Sequence, residues 1–94
     1  MTMKKMLKRH PNRLIVCIPA LRDTNNHPIT FKVLNTCRHS DEACEILARY
    51  EKEGGAYANT IIIPNFSEEL DDDAVPYVPP NIIAKTFRVL YGMQ

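Results

Sequence analysis

Tryptophan is missing from this chain of 94 residues, while glycine and cysteine occur three times each. Each scarcity removes a class of protein. The glycines, Gly54, Gly55 and Gly92, all sit where a helix would stop, so no glycine-rich loop is left to cradle a phosphate. A nucleotide cofactor is not expected, and no other cofactor motif is present. An odd set of thiols, Cys17, Cys37 and Cys44, cannot close a disulfide framework. The basic start is followed by only a short apolar stretch, interrupted by Pro19, with no small-residue cleavage pattern. A reducing, cytoplasmic setting with free thiols is therefore expected. No apolar run approaches the roughly 18 residues that span a bilayer, so no membrane role is expected. The net charge of +1 carries no global signature of nucleic-acid binding.

What remains is the composition of an ordinary globular domain, 45% hydrophobic and 24% charged. Residues 29–63 read as strand, helix, glycine stop and strand. Ile29, Phe31 and Val33 alternate with Thr30 and Lys32, as on a half-buried strand. Ser40 is placed to cap a helix, with Asp41 and Glu42 at the positive end of its dipole. Ala43, Ile46, Leu47 and Tyr50 recur at helical spacing, and Gly54-Gly55 ends the pattern. A further strand is expected over 57–63, ending at Pro64.

Residues 14–18 are apolar at every position, which predicts a strand covered on both faces. Residues 20–28 read as a loop of turn formers. Strands one and two then pair antiparallel, and the helix returns the chain so that strand three lands beside strand one. The predicted fold is a small α+β domain, β-β-α-β-α, with a three-stranded, mainly antiparallel sheet in order 2-1-3 and two helices, of the split β-α-β type. Its expected organisation is a single domain: a basic arm or short frayed helix over 1–12, the β-β-α-β core over 13–63, an acidic and proline-rich loop over 64–80 and a C-terminal helix over 81–92. That last helix would place Ile82, Ile83, Phe87, Leu90 and Tyr91 on one side, with Lys85 and Arg88 opposite. One central helix covers only one face of a sheet. The other face calls for the C-terminal helix, a second copy of the chain or another protein.

The chemistry-bearing residues form no strong constellation. Cys37, His39 and Cys44 lie within eight residues, yet their spacing fits no common zinc pattern and a fourth ligand is missing. Cys37 precedes a helix N-terminus, where a thiolate would be favoured, but no third group orients His39 into a nucleophile pair. The acidic run lacks the glycine and the alternating ligands of a calcium loop. No metal site and no enzyme activity are predicted.

Charge is segregated instead. Lys4, Lys5, Lys8, Arg9 and Arg13 crowd the start, and Glu68, Glu69, Asp71, Asp72 and Asp73 crowd one later loop. Pro76, Pro79 and Pro80 stiffen the segment around Tyr77. The expected function is a non-catalytic binding, inhibitory or regulatory one, in which the acidic loop meets a basic patch on a protein partner and Tyr77 anchors the contact. Homodimerisation is a further possibility of the same kind. The alternative is a nucleic-acid-binding regulatory module using the N-terminal cations. Small inhibitors encoded by phages and mobile elements share this economy of chain, although no motif here supports a particular family.

Overall fold

In the computed structural model, described over residues 1–66 and 76–92, three strands form one sheet in the order β2-β1-β3. Strand β1 (Arg13–Arg22) pairs antiparallel with both β2 (Pro28–Cys37) and β3 (Ile61–Asn65). The predicted order and pairing are therefore present, with the all-apolar strand in the middle. Leu14, Ile15, Val16 and Cys17 are fully buried. A central strand has no wet side, so its sequence has no alternation.

The hairpin is longer than the sequence suggested. Strand β1 continues through Pro19 to Arg22, and the loop shrinks to residues 23–27. Pro19 is tolerated because β3 pairs with β1 only as far as Cys17, and irregularities in the β1–β2 register flank it. Asp23 closes the turn: its carboxylate accepts from the amides of Asn25 and His27, both at 2.9 Å. Asn26 takes the left-handed backbone the turn requires (φ 64°).

Helix α2 (Ser40–Glu53) begins one residue earlier than the capping pattern implied. His39 is the N-cap and Ser40 the first helical residue, so no side chain caps this end. Gly54 ends the helix with φ 71°. The segment predicted as the start of strand three is instead a 3-10 turn, Gly55–Asn59, and β3 runs on through Pro64. Tyr57 thus lies on that turn, its ring 5.1 Å from that of Tyr50. Proline is accommodated in β3 because this strand pairs on one side only.

Two cores flank the sheet. On one face, Leu14, Val16 and Ile62 meet Ala43, Ile46 and Leu47 of α2. On the other, Ile15, Cys17, Phe31 and Ile61 meet Met6. Met6 belongs to helix α1 (Met3–Arg9), capped by Thr2, whose hydroxyl accepts from the Lys5 amide. Of the two expectations for 1–12, arm or short helix, the helix is present and packs against the sheet, and burying Met6 contributes about 2 kcal/mol. Asn65 fastens it by donating to the carbonyls of Leu7 (2.8 Å) and His10 (2.9 Å).

Helix α3 (Pro80–Tyr91) starts on proline and stops at left-handed Gly92, as predicted. It lies against β3 and contributes to both cores, Ile82 to the α2 side and Val89 with Leu90 to the α1 side. Thr86 binds it to the strand: its hydroxyl lies 3.1 Å from the Ile62 carbonyl and 3.0 Å from that of Ile82. No helix among the described residues is long and apolar enough to cross a membrane.

Candidate functional site

Helix α3 carries the main departure from expectation. The helical projection grouped Ile82, Ile83, Phe87, Leu90 and Tyr91 as one packing face. In the structure Ile82 and Leu90 do turn inward, joined by Thr86 and Val89, while Ile83, Phe87 and Tyr91 point to solvent with 41%, 51% and 55% exposure. The signal was available: apolar residues on this helix span about half its circumference, wider than the roughly 100° that one packing face uses. The excess forms a stripe at i, i+4 and i+8. Phe87 and Tyr91 stack along it, with centroids 5.8 Å apart and planes 25° from parallel. Such contiguous exposed apolar surface marks interaction sites.

Lys85, expected on the outer side, faces inward. Its amino group is shielded from solvent 2.9 Å from the Glu51 carboxylate of α2, outside hydrogen-bonding direction. It lines an open cleft of about 540 Å³ between the hairpin turn, the 3-10 turn and α3. Arg22 and Arg88 line the same cleft, with Asn26 and Asn59, and no carboxylate does so among the described residues. Arg22 is held in place by donating to the carbonyls of Asn26 (2.8 Å) and Val89 (3.1 Å).

The predicted site residues are dispersed. Glu68, Glu69, Asp71, Asp72 and Asp73 lie outside the described residues. Tyr77 is 72% exposed, the most open of the large hydrophobic side chains among the described residues. Lys4, Lys5, Lys8 and Arg9 are all exposed on α1, opposite buried Met6, and Arg13 opens β1 opposite Asn65. The cations of the alternative reading are thus displayed on a packed helix rather than on a loose arm.

The thiols are not activated. Burial pushes Cys17 up to about 12. Cys37 is raised by burial and then by the charge of Glu42, and Cys44 by burial and then by Asp41. Cys37 is packed in the α2-side core, whereas His39 is exposed, so the two form no working pair. No group of three metal-binding side chains is gathered among the described residues. Comparison with protein-family models, with curated proteins and with solved structures finds no match.

Proposed function

We propose that this chain is a protein-recognition module that docks through the outer face of α3 into an apolar groove rimmed by carboxylates. The observation that supports it is the stripe Ile83, Phe87 and Tyr91. Together with Tyr77, it accounts for four of the seven large hydrophobic side chains left exposed among the described residues. Rigid aromatic side chains on a helix lose little freedom on binding and anchor contacts well. Exposed Arg88 flanks the stripe, Lys85 being turned inward to Glu51, and the helix has no acidic residue. A second copy stacked antiparallel about Phe87 would bring Arg88 against its own twin, and like charges disfavour that pairing. A different protein with an acidic rim satisfies both the stripe and its flank.

A photo-crosslinking amino acid at position 87, activated in extract of the native host, tests the reading. The expected product is an adduct with one protein of acidic surface, displaced by excess unlabelled chain but not by a Phe87→Ser chain. An adduct with the chain itself, or none, would overturn it.

The second reading, nucleic-acid binding, gains support from the joint exposure of Lys4, Lys5, Lys8 and Arg9 on α1. Deleting residues 1–13 is not a clean test, because it also removes buried Met6. Changing the four cations to glutamine keeps the helix. This reading requires heparin and DNA retention to fall with salt, with a slope that the fourfold variant lowers.

A further inference from the structure

The geometry points to a phosphate-binding site in the cleft between the hairpin turn and the last helix, formed by Arg22, Arg88 and Asn59 over the charge of Lys85. The inference does not depend on the α3 stripe, since it concerns the cleft side of that helix, with Arg88 at the border of the two, and a small anion.

Three cations and, among the described residues, no carboxylate line the cleft, while Glu51 pairs with Lys85 from beyond its lining and Asp23 spends its carboxylate on the adjoining turn. A lining of three cations suits a phosphate monoester or pyrophosphate group. Arg22 supplies orientation. Two backbone carbonyls fix its guanidinium, and its remaining N–H groups are left for a ligand. A donor already held still loses less freedom when an anion arrives.

The C-terminal end of α3 reaches the same cleft, and free carbonyls there would repel an anion. Two of them are already taken: Arg22 donates to the Val89 carbonyl and the Gly92 amide to that of Arg88. Lys85 acts mainly through its field, because its ammonium is shielded from solvent and lacks a well-directed acceptor. Asn59 is exposed at the rim and offers a carboxamide donor. The cleft volume of about 540 Å³ leaves room for more than one phosphoryl group.

The test is titration of the full chain with inorganic pyrophosphate, followed by amide NMR. The expected result is one saturable site, with shifts centred on residues 22, 26, 59 and 88. Arg88→Gln or Asn59→Asp should each weaken binding at least about tenfold. Both positions are exposed, so these variants keep the fold, which circular dichroism verifies. Lys52→Gln, an exposed cation on α2, should leave affinity unchanged. Phe87→Ser, which removes the stripe, should do the same. Competition with a single-stranded oligonucleotide separates two sources of the same chemistry. Displacement of pyrophosphate assigns the site to a nucleic-acid backbone, and its failure assigns it to a soluble phosphorylated compound. Unsaturable shifts spread over Lys4, Lys5 and Lys8, or equal loss of affinity in Lys52→Gln, would overturn the site.

Discussion

The two faces of the sheet are closed in different ways. The α2 side is sealed by fourteen helical residues whose apolar spacing is written plainly into the chain. The α1 side is sealed by a seven-residue helix with one fully buried side chain, aided by Val89 and Leu90 from the far end of the sequence. One cover is local and periodic; the other is assembled from both ends of the chain. A short helix cannot sustain itself in water. Its order therefore depends on Met6 and on the two hydrogen bonds from Asn65.

That contrast can be broken by experiment. The largest effect is expected for Leu47→Ala, which opens a cavity under α2 and costs about 3–4 kcal/mol in urea unfolding, against about 2–3 kcal/mol for Met6→Ala. Equal costs would mean that the two covers are equivalent. Asn65→Ala should cost about 1–2 kcal/mol, and amide exchange should quicken in α1 before it does in α2.

Alkaline pH probes the α1 side from within. Cys17 titrates near 12 in the fold against an ordinary 9.0. The neutral thiol is the form the fold favours, so its contribution is complete below pH 9 and is lost as the pH climbs toward 12. Between pH 9 and 10 the loss from this group is about 1 kcal/mol, and a Cys17→Ala chain should lack that part of the slope. The smallest effect is expected on the solvent side of α3. Phe87→Ser should change stability by less than about 0.5 kcal/mol, and a larger cost would show that the stripe packs within the fold.

The elements legible in the sequence were those whose determinants are local. Residues 14–18 announced a central strand because both sides of a central strand need apolar cover. Gly54 and Gly92 announced helix ends because a left-handed stop favours glycine. The 3-10 turn at Gly55–Asn59 was hidden because Tyr57 and Thr60 are good strand formers; it is closed by the Thr60 amide and hydroxyl, which both donate to the Tyr57 carbonyl, at 3.1 and 2.6 Å. Helix α1 stayed open between an arm and a short frayed helix because seven residues give too short a period, and the cations at 4, 5, 8 and 9 masked the packing of Met6. The cleft joins Arg22 to Lys85 and Arg88 across more than sixty residues of chain, and no spacing rule reaches that far. The rotation of α3 was the missed clue, since its apolar arc exceeds what one packing face consumes.

Because the last helix lends Ile82 to one core and Val89 with Leu90 to the other, lifting it away would wet both at once. The two halves of the interior thus share a single clasp. Thermal melting of this small protein should run as one sharp event instead of two staggered ones, with the final twelve-residue helix acting as its keystone.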